Sequence, residues 1–329
     1  HMQTASAEGG VSRSTTELHS AAHAFRSAIM LRGYTTTDSE GLAYALLWAG
    51  REAEGRAVLR EALHLGVYPY EWQHPSDGAD RSLPYSGPWA DATPVRCLLK
   101  LLEARATELR SAALTLVTAH DAMVADGSKL TSDDGEVELF QVEREGLQLP
   151  RRGFSGLDLL RFCHHDGARK IRLDSIQTVA VDDAGSVREA AETKYRDAVR
   201  SAISTYCGLF DTLLTETTAN IGSFRLSRLQ RGTNLSPHCG RTNRKWRVHM
   251  GLITDGSVWL RVGNEARAWA EGSAFIFDDS FEHEVFWRGS ERDNLEGGLD
   301  TEKDSRVVLL FDITHPNGTS VCSAPPLEE

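Results

Sequence analysis

Residues 245–253 read KWRVHMGLI and residues 273–279 read SAFIFDD. In the first, Trp246, Val248, Met250 and Leu252 alternate with Arg247 and His249, a period of two that gives a strand one apolar face and one mixed face. Arg247 and His249 share a face, and Trp246 points away from them into a core. The same signature recurs in FRLSRLQ (224–230), SVWLRVG (257–263), HEVFWRG (283–289) and RVVLLFDI (306–313). Gly, Asn and Asp punctuate these runs, as turns between strands require. Many short strands in succession predict a β-sandwich or jelly roll, a rigid double sheet whose loops gather at one mouth.

Upstream the pattern changes. From Thr15 to Gly66 the chain reads as helical. GLAYALLWAGREAEGRAVLREALHLG (41–66) predicts two short antiparallel helices around Gly50, like one tetratricopeptide-type repeat or a helical cap on the main domain. Residues 67–94 are rich in Pro, Gly and aromatics and predict an ordered, irregular connector. Residues 95–126 predict one or two helices, ELFQVE (138–143) a strand, and 187–214 a helix. Residues 146–190 read as an insertion with short elements of its own. Residues 1–14 are small and polar, expected to be disordered, with His1-Met2 an expression remnant. The expected division is thus 1–14, a helical region with connector at 15–94, and a mainly β domain at 95–329.

Net charge is −11 over 329 residues, which argues against a nucleic-acid partner. No run of eighteen apolar residues exists, so no membrane span is expected, and no secretory signal opens the chain. The five cysteines, Cys97, Cys163, Cys207, Cys239 and Cys322, are scattered and odd in number without a C-x-x-C pair. That predicts neither a disulfide framework nor a zinc ribbon and favours a reducing compartment, the cytoplasm. The lumen of the endoplasmic reticulum fits if an N-terminal anchor has been removed.

Of the twelve histidines, His19, His23, His64 and His120 fall on helices and read as surface or packing residues. His164-His165-Asp166 lies in the weakly patterned insertion, and adjacent residues rarely aim at one metal. His315 precedes Pro316 and reads as structural. His238 and His283 differ: 45 positions apart and both at strand ends, they have a spacing that a double-stranded β-helix can bring to one open mouth, although each taken alone reads as a core or surface residue. In PHCGRTN (237–243) the place of a carboxylate ligand, two residues after His238, holds Gly240.

The strings SPHCGRTN (236–243), KWRVHMGLI, GNEARAWAEGSAFIFDDSFEHEV (263–285) and RVVLLFDITHP (306–316) together resemble the aspartyl/asparaginyl β-hydroxylase family. The likeness is strong over 222–316 and fainter over about 84–142, where LPYSGPW and GEVELFQV carry it. It implies a mainly β catalytic core, a double-stranded β-helix of jelly-roll or cupin-like form, behind an N-terminal α-helical region. It implies an Fe(II)- and 2-oxoglutarate-dependent dioxygenase using O2, with His238 and His283 as the protein's metal ligands and catalytic residues. Most oxygenases of the wider class use two histidines and a carboxylate; the family resembled carries glycine instead, so Gly240 is its own arrangement. Arg306 would hold the distal carboxylate of 2-oxoglutarate, helped by Ser227, since arginine grips carboxylates as a fork. Arg247 and His249 would lie at the metal-proximal carboxylate. Lys245, with Arg247, would face the substrate, an Asp or Asn residue in a peptide or a related amino acid.

Two departures stand out. GSERDNLEGGLDTEK (289–303) widens the spacing from His283 to Arg306 to 23 positions and reads as a polar hairpin extension, and Lys245 stands where the family presents arginine. Asp278, Asp279, Glu282 and Glu284 surround His283; Asp279 or Glu282 would accept an imidazole N–H, or these acids serve as turn caps. Cys239 reads as a small buried hydrophobe. Alternatives are an iron halogenase using the open coordination position, a desaturase or cyclase, and a helical-repeat interaction protein with an inert oxygenase fold.

Overall fold

The structure is a computed structural model that describes residues 15–132, 135–142, 153–163, 171–181, 187–189, 195–288 and 305–322. Expectations for 1–14, for His164-His165-Asp166 and for the extension at 289–303 therefore lie outside the described residues. In chain order the elements are α1 (Thr15–Arg32), α2 (Thr36–Trp48), α3 (Glu52–His64), α4 (Arg96–Ala104), α5 (Ala106–Asp126), β1 (Ser128–Ser132), β2 (Gly135–Val137), β3 (Gln141–Val142), β4 (Phe154–Asp158), α6 (Leu160–Cys163), β5 (Gln177–Val181), β6 (Val187–Glu189) and α7 (Arg196–Glu216). Then come β7 (Ile221–Gln230), β8 (Leu235–His238), β9 (Lys245–Ile253), β10 (Val258–Val262), β11 (Glu265–Ala268), β12 (Ala274–Phe277), β13 (His283–Trp287) and β14 (Ser305–Thr314).

The last eight strands divide between two sheets, successive strands crossing from one to the other except for the β10–β11 hairpin. One has the order β11-β10-β13-β8; the other runs β12-β9-β14-β7 and continues through β4 to β3. Neighbours in both are antiparallel. Successive strands crossing between two facing four-stranded layers in this order define a double-stranded β-helix, as expected. The larger sheet is covered on both faces, which is why its strands carry so few exposed positions. Trp246, Val248, Met250, Val307, Leu309, Phe311, Phe224 and Leu226 face outward into a core shared with α4, α5 and α7. Leu229, Val308, Leu310 and Phe277 face inward with Trp269, Leu260 and Val285 of the opposite layer. By the same alternation Ser227, Arg247, His249, Arg306 and Asp312 point inward.

Among the short elements of the insertion, β4 pairs with β7 and extends the larger sheet, while β5 and β6 join β1 and β2 in a third sheet. One expectation there needs correction. Residues 187–189, read as helix, form β6, which pairs with β5, and the helix begins at Arg196.

The cysteine reading is also overturned. Cys97 is bonded to Cys322 and Cys163 to Cys207, leaving Cys239 as the free thiol. The pairs span 225 and 44 positions, so spacing along the chain carried no hint of them.

The helical region packs as three helices. Gly55 lets α3 approach α2 closely: a Cβ there would meet the Ala43 carbonyl at 2.7 Å. Residues 42–46 of α2 are buried all round, as befits a helix held between α1, α3 and the barrel. Among the described residues no helix is long and apolar enough to cross a membrane.

Candidate two-histidine site

His238 ends β8 and His283 opens β13, and the antiparallel register sets them directly opposite each other. Their ring centroids are 4.2 Å apart, with the planes at 55°. Both rings are buried. His238 Nδ1 lies 2.7 Å from the Ser236 carbonyl oxygen and His283 Nδ1 lies 2.9 Å from that of Phe281. A carbonyl only accepts, so in each ring Nδ1 carries the proton and donates, and Nε2 is the nitrogen that carries the lone pair. The expected carboxylate partners for these N–H groups, Asp279 or Glu282, are therefore not used. Backbone carbonyls two residues back do the work because the extended chain brings them there.

Gly240 is explained by Asp279. A Cβ on residue 240 would stand 2.6 Å from the Asp279 carboxyl carbon, and the Gly240 N–H donates to the Asp279 carbonyl at 2.6 Å. The volume into which a carboxylate side chain at 240 would grow is filled. Asp279 is in turn 2.9 Å from Arg247 and 3.4 Å from Lys245. Asp312, facing Arg247 across β14 and β9, accepts from Arg247 at 2.8 and 3.3 Å and from Lys245 at 2.6 Å. Burial alone would raise the Asp312 carboxyl; the charges and hydrogen bonds of Arg247 and Lys245 outweigh it and hold it well below the usual range. Two cations thus face two carboxylates. Arg247, expected beside a bound co-substrate, is here tied to Asp312 and Asp279.

Deeper in the barrel, Phe277 lies 5.6 Å from His283 and 5.1 Å from His249, and His249 lies 5.8 Å from Trp269. The Arg306 guanidinium sits 4.8 Å over the Trp269 ring and donates to Ser227 Oγ at 3.1 Å. Arg306 is 2% exposed, so it is a buried charge and not a surface one at a strand end. A buried guanidinium beside a hydroxyl, joined to the histidine pair through the rings of Trp269, His249 and Phe277, is a donor set fit for a small anion's carboxylate. Ser227, His249 and Arg306 come together; Lys245 and Arg247 form a separate group with Asp279 and Asp312.

Several partnerships at the site carried no signal in the sequence. Glu282, wholly buried beside His283, accepts from Arg56 of α3 at 2.5 and 2.9 Å, from Arg261 at 2.8 Å and from the Tyr44 hydroxyl of α2 at 3.1 Å. Burial pushes its carboxyl up, but the two guanidiniums outweigh that and leave it below the ordinary value. Tyr44 also meets Cys239 Sγ at 3.2 Å. Cys239 is buried and its thiol is pushed well up by that burial, so it is a protonated donor. Glu40 of α2 is raised to about 7 by burial and by the nearby Asp77, with His238 opposing. Only Asp312, an acid in the otherwise apolar RVVLLFDI, was visible as an anomaly. A cavity of about 240 Å³ opens beside the loops bearing the histidines, between Tyr70, Gln73, Tyr85, Asn243, Asp278 and His315.

The fold and the site define a double-stranded β-helix with a two-histidine mouth and a buried arginine inside. Residues 190–316 match the family described as aspartyl/asparaginyl beta-hydroxylase. Among curated relatives, the aspartyl/asparaginyl beta-hydroxylase of Mus musculus is 35% identical over 127 residues, 38% of this chain and 15% of that protein. The aspartate beta-hydroxylase domain-containing protein 2 of Homo sapiens is 41% identical over 96 residues, 29% of this chain and 23% of that protein. The chain thus spans less than a quarter of the length of either. A solved cupin domain, Cnp3 of Schizosaccharomyces pombe, overlays 30% of this chain and 64% of its own at 9% identity with a TM-score of 0.22, too low to add to the strand order.

Proposed function

We propose that this chain is an Fe(II)- and 2-oxoglutarate-dependent dioxygenase that hydroxylates the β carbon of an Asp or Asn residue in a peptide, or of a related amino acid. The observation that carries the reading is the cross-strand pair His238 and His283, set opposite each other with rings 4.2 Å apart and each donating its Nδ1 proton to a carbonyl, the tautomer in which Nε2 is the nitrogen that would bind a metal ion. Two neutral imidazoles suit Fe(II). Iron and 2-oxoglutarate, once bound, would supply activation of O2, coupling decarboxylation of the co-substrate to succinate and CO2 with oxygen insertion into carbon.

The chain's residues do the rest. Arg306 and Ser227 receive the distal carboxylate of 2-oxoglutarate as charge-assisted donors. His249 lies between that end and the histidine pair, and Phe277, Phe275 and Trp269 line the path and exclude water. Arg247 and Lys245, steadied by Asp312 and Asp279, present N–H donors at the outer end. Their charges are balanced there, so Asn fits as well as Asp. Asp279 also bears on the halogenase alternative: its carboxyl fills the space beside Gly240 into which a ligand replacing the missing carboxylate would grow. The two disulfides support an oxidising compartment rather than the cytoplasm.

The test is anaerobic visible spectroscopy. Fe(II) followed by 2-oxoglutarate should produce the charge-transfer band of the chelate. His283→Ala should abolish it, and Arg306→Ala should shift its 2-oxoglutarate dependence roughly 10- to 100-fold, the worth of a charged hydrogen bond. Candidate peptides should then gain the mass of one oxygen; loss of two hydrogens would point to desaturation. No band at saturating metal and co-substrate overturns the proposal.

A further inference from the structure

We infer that the helical region is a positioning element of the two-histidine centre, acting through Tyr44, Trp48 and Arg56; this rests on the proposed metal-binding role of His238 and His283. The residues it holds are the chain neighbours of both histidines. Trp48 Nε1 donates to the Pro237 carbonyl at 3.2 Å, on one side of His238. Tyr44 meets Cys239 at 3.2 Å, on the other side. The Tyr44 hydroxyl proton goes to Glu282 at 3.1 Å, so the contact with Cys239 runs from thiol to phenol oxygen. One phenol therefore joins the residue after His238 to the residue before His283, positions 195 and 238 places away from it in the chain.

Arg56 completes the arrangement. It grips both oxygens of Glu282 as a fork, while Arg261 of β10 takes Oε1 from the barrel side. Both guanidiniums lie over Trp72, at 4.9 and 5.5 Å. The Glu282 N–H donates to the Trp72 carbonyl at 2.6 Å, so backbone and side chain of this residue are both held from outside the barrel. A centre with only two protein ligands depends on their being held in place before the ion arrives, and outer partners of metal ligands commonly set affinity 10- to 100-fold. Here much of that support comes from α2 and α3 rather than from the barrel.

The probe is Co(II), titrated into the full-length protein and followed by its d–d absorption. Tyr44→Phe, which removes one hydroxyl, should weaken Co(II) binding about 10-fold and alter the absorption envelope. Arg56→Met should weaken it further, and Arg56→Lys, which keeps the charge without the fork, should fall between. Leu59→Ala, which loosens the α2–α3 packing at a buried position without touching Glu282, should lower the melting temperature and leave the Co(II) constant unchanged. Equal Co(II) binding by wild type, Tyr44→Phe and Arg56→Met overturns the inference and leaves the two-histidine reading standing. So does equal weakening by Leu59→Ala. Absence of Co(II) binding by the wild type removes the two-histidine reading and the inference with it. If Arg56→Met does not fold, Arg56→Lys and Tyr44→Phe read the same quantity.

Discussion

At the scale of the residue, Gly240 shows how a missing side chain can be structural rather than a loss. Asp279 fills the volume beside it, and the backbone of the two residues is hydrogen-bonded. Gly240→Ala should therefore destabilise the fold by about 1–3 kcal/mol, the usual cost of forcing extra volume into a packed site. Gly240→Asp should not create a third ligand: we expect a lower melting temperature and no gain in Co(II) affinity. Tighter Co(II) binding by that variant would show that Asp279 yields its place. The glycine was legible as an anomaly in PHCGRTN, but its cause was not, since Asp279 lies 39 positions further along.

At the scale of the element, the loop from β12 to β13 carries an unusual density of buried acids: Asp278, Asp279 and Glu282. They differ in their partners. Asp278 is raised to about 7 by burial, against hydrogen bonds from Ser280 and with Asp279 adding to the rise. An acid whose folded value lies above its unfolded value of 3.8 binds more protons in the native state, so stability falls as pH rises from about 4 to 7. Asp278→Asn removes that dependence. Relative to wild type, the variant should gain stability between pH 5 and pH 8, on the order of a few kcal/mol, in chemical denaturation curves. A constant difference across that range would mean that Asp278 titrates normally. Asp312 behaves oppositely: its contribution is full above 3.8 and is lost only as pH falls through its depressed folded value.

At the scale of the whole molecule, the helical region and the barrel share buried charges, and the Cys97–Cys322 bond ties α4 to the segment after β14. Units joined through a buried carboxylate with two guanidiniums do not melt separately without stranding a charge, which costs about 3–5 kcal/mol. Scanning calorimetry should accordingly show one transition, with calorimetric and van't Hoff enthalpies in agreement. Two resolved transitions would mark residues 15–66 as an independent domain.

The succession of short alternating strands, the inward placing of Arg247 and His249 and the helical hairpin around Gly50 were legible in the amino-acid order, because each depends on a local period. The pair His238 and His283, 45 positions apart, was legible only through the resemblance of several long strings to a known family. The disulfide partners, the joining of β4 to the main sheet, the carbonyl partners of the two imidazoles and the grip of Tyr44 and Arg56 on Glu282 were decided by tertiary structure alone. The disulfides, the grip on Glu282 and the pairing of β4 with β7 join residues tens to hundreds of positions apart, and no period in the chain records which distant group arrives. The imidazole contacts are local, but a carbonyl belongs to every residue; only the extended backbone before each histidine selects the one that accepts its proton.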